Sequence, residues 1–129
     1  GRPQALPPTL IVPTSEYYDF ESKYRAGGSE HRCPAPFAPE LSERIQEAAV
    51  TAHLALGCRD LSRTDFLVDS ERATFILLET NTLPGMTPTS LFPEAAAVTG
   101  IRFEALCDEL VRTAASRPRR LTPVVSAMP

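Results

Sequence analysis

Cysteine is scarce in this sequence, and basic residues are fewer than acidic ones. Cys33, Cys58 and Cys107 are the three thiols, an odd number with neither a Cys-x-x-Cys step nor Cys/His ligand spacing. That argues against a disulfide framework or a zinc cluster and fits a reducing, cytoplasmic compartment with buried or idle thiols. Thirteen Lys and Arg against sixteen Asp and Glu leave a net charge of −3, which argues against a broad nucleic-acid or membrane surface. The one basic cluster, Arg117 to Arg120, is proline-interrupted and reads as part of a solvated tail over 117–129. No apolar run approaches the roughly 18 residues needed to cross a bilayer, and no charged-then-apolar signal segment opens the chain. The phosphate loop Gly-x4-Gly-Lys-Ser/Thr is missing, as is the Gly-x-Ser-x-Gly nucleophile turn. No segment repeats. His31 and His53 accompany no nucleophile arrangement. His53 falls in a helical run, where it is expected to be half-exposed, and neither histidine is given a role.

What is present is one domain's worth of chain, 129 residues with 43% hydrophobic and 22% charged. The opening "GRPQALPP" has no methionine and starts no element, so it reads as a piece cut from something longer. Thr9 to Phe20 is β-rich with a proline interruption and predicts one strand and a turn. The following 21–40, with Gly27-Gly28 and several prolines, reads as a long loop. Pro39 suits a first helical turn, Leu41, Ile45, Ala48, Ala49, Ala52 and Leu56 recur at helical spacing, and Gly57 is a stop. "LSRTDFLVD" and "ATFILLETN" predict a hairpin around the polar turn Asp69 to Arg72. A second helix is expected from Thr89 or Ser90 to Gly100, and a third over 103–116. The order β–loop–α–β–β–α–α predicts an α/β layer holding an antiparallel pair.

Strand alternation puts Leu61, Arg63, Asp65 and Leu67 on one face of the first hairpin strand. In the second, Leu77, Glu79 and Asn81 are expected to share a face. Asp65, Glu79 and Asn81 offer hard oxygen donors of the kind Mg²⁺ takes from proteins, alongside substrate phosphates. Arg63 beside them suits the charge that builds in phosphoryl transfer. The plainer alternative is an Asp65–Arg63 pair at a sheet edge and an Asn81 that caps a turn. In "TLPGMTPTSL", Gly85 allows an unusual backbone or a close approach, and the prolines stiffen the loop. Ser90 stands at a helix N-terminus, either as an anion contact or as an ordinary N-cap. Lys23, in "YYDFESKY", is within a loop and suits either a phosphate or solvent.

Taken in order, "YYDFESKY", "CPAP", "LGCRDLSRTDFLVD" and "LLETNTLPGMTPTSLFPEAAAVTGIRFEALCDELV" resemble the C-terminal part of the D-alanine–D-alanine ligase family, ATP-grasp enzymes. The resemblance covers about residues 5 to 115, and "ETNTLPGMTPTSLFP" is its most specific piece. It implies the fold class α/β (α+β): the C-terminal part of an ATP-grasp domain over 1–116, a mixed or antiparallel sheet with covering helices.

It also implies a reaction. ATP phosphorylates one D-alanine carboxylate, and the amine of a second D-alanine attacks the acylphosphate, giving a dipeptide for peptidoglycan and cell-wall synthesis. Asp65, Glu79 and Asn81 match the family's ligands for two Mg²⁺ (or Mn²⁺) ions, with Glu79 bridging. Arg63 matches the arginine that steadies the acylphosphate and tetrahedral states, and the Gly85 N–H an oxyanion donor. Ser90 and Leu91 match positions that hold the second D-alanine's carboxylate. Lys23 and Tyr24 match a mobile loop that closes over the nucleotide phosphates, and Tyr17 an aromatic near the adenine. A tyrosine at 24 points away from relatives that make D-alanyl-D-lactate. A homodimer is implied, as are ATP and D-alanine as partners. Family members are more than twice this length, so the chain is expected to hold the metal and acceptor half of a site and to be inactive alone. Another ATP-grasp carboxylate–amine ligase and a non-catalytic remnant are the alternatives.

Overall fold

The computed structural model describes residues 2–13 and 29–118. Lys23, Tyr24, Tyr17 and the 119–129 part of the tail therefore lie outside the described residues.

Two short strands, β1 (Leu10–Pro13) and β2 (Ser29–Arg32), pair antiparallel with Leu10 opposite Arg32. β2 falls where the sequence predicts loop. Its Ser-Glu-His-Arg composition carries no apolar alternation, so its pairing comes from the partner strand and not from its own pattern. Within it, Arg32 Nε donates to Glu30 at 2.8 Å, and this bond holds the Glu30 carboxyl below its ordinary pKa. The following turn returns to the extended opening segment, where the Ala35 N–H donates to the Pro8 carbonyl at 2.7 Å.

Helix α1 (Pro39–Ala55) starts at the expected proline with Glu40 in its first turn. Beyond the helix, Gly57 has φ +64°, a left-handed conformation that glycine adopts without a Cβ penalty. Leu41, Ile45 and Val50 are buried. At about 100° per residue Leu41 and Ile45 fall together and Val50 on the opposite side, where the helix meets the opening segment. Its polar side chains reach outward to its neighbours. Gln46 donates to the Leu6 carbonyl at 3.1 Å, and Arg44 to the Ala73 carbonyl at 2.8 Å.

The hairpin of β3 (Arg63–Asp69) and β4 (Thr74–Asn81) is the second antiparallel sheet. Its turn needs no Asn-Gly signal. Asp69 Oδ1 accepts the N–H groups of Glu71 and Arg72 at 3.1 and 3.0 Å, and Ala73 takes φ +50°. α1 lies across this hairpin, with Arg44 stacked 5.5 Å over Phe75, which in turn meets Phe66 edge-on at 5.5 Å. Helices α2 (Leu91–Val98) and α3 (Phe103–Ala115) pack on each other, Ala95, Ala96 and Leu106 being buried, with Gly100 at φ +89° in the connection.

Candidate active site

The β3–β4 register decides which side chains share a face. Arg63 stands opposite Asn81 and Asp65 opposite Glu79. Directly opposed residues of an antiparallel pair project to the same side, with Cβ atoms about 4.5–5.5 Å apart. All four therefore project from one end of one face.

Immediately beyond them the ladder slips, because Phe66 pairs with Leu77, leaving Leu78 as an extra residue on β4. This bulge corrects the expectation that Leu77 shares a face with Glu79 and Asn81. Strict alternation fails at the inserted residue, so Leu77 turns with Phe75 toward α1, where both line a shallow groove with Ala48 and Ala52. The bulge thus separates a polar end from an apolar sheet face packed under a helix.

Arg63 grips Asp65 with two bonds, Nε to Oδ1 at 2.8 Å and Nη2 to Oδ2 at 3.0 Å. Asn81 Oδ1 accepts the Leu83 N–H at 2.8 Å, closing a turn at the strand's end. The plainer alternatives from the sequence, an Arg–Asp pair and a turn-capping asparagine, are both present. They leave lone pairs unused, since a carboxylate offers about four acceptor sites and an amide oxygen two. Glu79 is exposed, and its side chain has no hydrogen bond or ion pair among the described residues. Two carboxylates directly opposed across a sheet repel, and one arginine cancels only one of them. A divalent cation converts that repulsion into attraction, and oxygen donors from two carboxylates and an amide suit Mg²⁺. The donor set therefore fits the metal that the resemblance implies. No cluster of three or more His, Cys, Asp or Glu side chains occurs among the described residues, so the amide of Asn81 is needed as a third donor.

The loop after β4 brings Gly85 and Ser90 together. A Cβ built on Gly85 falls 2.9 Å from Ser90 Oγ and 3.4 Å from Ser90 Cβ. Close approach explains this glycine, not a left-handed backbone. Ser90 is the residue before α2, with φ −78° and ψ 151°, yet its hydroxyl makes no helix-capping bond. It turns back instead, accepting the Thr87 N–H at 3.0 Å and lying 2.8 Å from Thr87 Oγ1. Leu91 opens α2, and its N–H is one of the first four that no intrahelical carbonyl can reach.

Two residues that shape this region carry no obvious sequence signal. Thr87 is one. His53 is the other: it is buried rather than half-exposed, with Nδ1 2.8 Å from Ser62 Oγ, next to Arg63. Its partner arrives from a loop nine residues away, which helical periodicity cannot foresee.

A profile of the family described as "D-ala D-ala ligase C-terminus" matches residues 1–112. The chain belongs to this family. It is 50% identical over 116 residues to the D-alanine–D-alanine ligase of Gluconobacter oxydans, an alignment covering 88% of this chain and 38% of that protein. Among solved structures, the D-alanine–D-alanine ligase of Bacillus anthracis complexed with ATP matches with TM-score 0.68 and 29% identity, over 85% of this chain and 34% of that one. The VanG D-Ala:D-Ser ligase of Enterococcus faecalis matches with TM-score 0.70 and 33% identity, over 84% and 31%. The chain thus spans about a third of the length of the D-alanine–D-alanine ligases it matches. The fold expected from the resemblance, the C-terminal part of an ATP-grasp domain with antiparallel strands and covering helices, is the one found. No helix of the described residues is long and apolar enough to cross a membrane.

Proposed function

We propose that this chain supplies the metal-binding and acceptor-binding half of a D-alanine–D-alanine ligase that uses ATP to join two D-alanines. The observation that carries the reading is the alignment of Asp65 with Glu79 and Arg63 with Asn81 on one face of the hairpin, at the residues the family resemblance assigns to this chemistry. Asp65, Glu79 and Asn81 would hold Mg²⁺ or Mn²⁺, which when bound offsets phosphate charge as ATP activates the first carboxylate.

The chain's own residues do the rest. Arg63, held in plane by Asp65, presents a fixed guanidinium to the developing charge of the acylphosphate. The Gly85 N–H donates to the oxygen that becomes anionic when the second amine attacks. The Ser90 hydroxyl and the Leu91 N–H, at the positive end of α2, hold the acceptor's carboxylate. By the family resemblance, Lys23 and Tyr24 would serve the phosphates and help exclude water that would hydrolyse the intermediate, and Tyr17 would serve the adenine. ATP and D-alanine are the substrates, the location is cytoplasmic, and the assembly is a homodimer. Residues 1–116 belong to the ATP-grasp domain, and Arg117, expected in a solvated tail over 117–129, instead pairs with Asp60 at 2.7 Å.

The test is ATP-dependent phosphate release by the full-length protein that carries this chain, with D-alanine, D-serine or D-lactate as acceptor. D-alanyl-D-alanine is expected as the main product, with Mg²⁺ required. Glu79→Gln keeps the size and removes the charge, and it should lower kcat by at least about a hundredfold, the loss that follows removal of a group stabilising transition-state charge. Phosphate release without D-alanine dependence, or an unimpaired Glu79→Gln enzyme, would overturn the reading. A main product with D-serine would favour the kind of activity named for the Enterococcus relative.

A further inference from the structure

We propose that Thr87 is a positioning residue that turns the Ser90 hydroxyl into a directed donor for the acceptor amino acid's carboxylate. The inference rests on the reading of Ser90 as a contact to that carboxylate. A hydroxyl has one proton to give and two lone pairs to receive. Ser90 Oγ already receives the Thr87 N–H at 3.0 Å, and Thr87 Oγ1 lies 2.8 Å away. If Ser90 donated to Thr87, its proton would be spent inside the loop. An ionised carboxylate is an acceptor only, so the bound acid selects the opposite arrangement, with Thr87 donating. Both lone pairs of Ser90 are then filled by Thr87, one from the backbone and one from the side chain. The only direction left for the Ser90 proton is outward.

Two further observations support this. Ser90 makes no helix-capping bond, so the proton and lone pairs of its hydroxyl are not engaged by α2. The Thr87 Oγ1–Ser90 Oγ separation of 2.8 Å is that of a strong hydroxyl bond, and accepting such a bond strengthens Ser90 as a donor. Gly85 completes the setting, because a Cβ there would crowd Ser90 Oγ at 2.9 Å.

The experiment compares Thr87→Val, Thr87→Ser and Ser90→Ala in the full-length protein, by steady-state kinetics in the acceptor D-alanine and in ATP. Thr87→Val keeps the shape and deletes the hydroxyl, and it should raise the acceptor KM about five- to tenfold, the equivalent of one lost hydrogen bond. The KM for ATP should stay within about twofold. Thr87→Ser restores the hydroxyl and should return the acceptor KM to near its original value. An unchanged acceptor KM in Thr87→Val, with Ser90→Ala impaired, would overturn this inference while leaving the role of Ser90 intact. So would a Thr87→Ser enzyme as weak as Thr87→Val, since packing of the methyl would then be the cause. Ser90→Ala without effect would remove both readings together.

Discussion

At the scale of single residues, chemistry and fold compete for the same few ångströms around Ser90. Gly85 is not in a left-handed conformation, so an alanine there is not strained by φ. The difficulty is contact, since the new Cβ would lie 2.9 Å from Ser90 Oγ, closer than such atoms come. Ser90 is too short to swing away without leaving Thr87, so the turn must open. Gly85→Ala is therefore expected to cost about 1–3 kcal/mol of stability, the usual penalty of overpacking. It should also raise the acceptor KM by about tenfold or more through displacement of the donor. Thermal unfolding and acceptor-dependent kinetics on one preparation check both parts. Alternation made the shared face of Arg63 and Asp65, and that of Glu79 and Asn81, legible in sequence, because both pairs lie on the same side of the bulge; the register then brings the two faces together. Leu77 was misplaced because one inserted residue, Leu78, leaves no trace in a hydrophobic pattern. Thr87 carries no sequence signal, because the direction of a hydroxyl depends on where the chain folds back.

At the scale of elements, the parts that carry their own pattern were readable and those that borrow their structure were not. α1 shows itself through Leu41 and Ile45 at helical spacing, Pro39 at its head and Gly57 beyond its end, all local signals. β2 shows nothing, because Ser-Glu-His-Arg becomes a strand only by pairing with Leu10–Pro13. The burial of His53 is likewise non-local, set by Ser62. Helix α1 also links the layers, touching both the opening segment through Gln46 and the hairpin turn through Arg44. Leu41 is only 3% exposed beneath it. Leu41→Ala should therefore cost about 2–5 kcal/mol, a large part of the 5–15 kcal/mol that holds a typical domain. Leu54, on the same helix but 53% exposed, is the control, and Leu54→Ala should change stability by no more than about 0.5 kcal/mol. Urea titration of both variants tests the contrast, and equal losses would contradict the burial of Leu41.

At the scale of the whole molecule, much apolar surface has nothing against it among the described residues. Leu67 and Ile76 pair across the hairpin yet are 63% and 64% exposed, on the face that carries Asp65 and Glu79. The buried apolar set among the described residues is small: three alanines, Leu41, Ile45 and Val50 of α1, and Leu106 of α3. A bare two-stranded hairpin is marginal in water, and α1 packs on β3 and β4 while Leu67 and Ile76 stay exposed. A nucleotide needs walls on both sides to be excluded from water and gripped, and the hairpin offers one. Most of the length of the Gluconobacter relative, of which this chain covers 38%, has no counterpart in these 129 residues. The isolated 129-residue chain is therefore expected to show no saturable ATP heat by calorimetry up to about millimolar concentration, the weak limit at which binding free energy is only about 4 kcal/mol. It should form no dipeptide, and it should bind an apolar dye through the open hairpin face. The full-length protein, assayed beside it, should bind ATP and leave the dye unbound. Steady-state dipeptide formation by the isolated chain would mean that one wall, four polar side chains and a stiff loop are enough to hold both substrates.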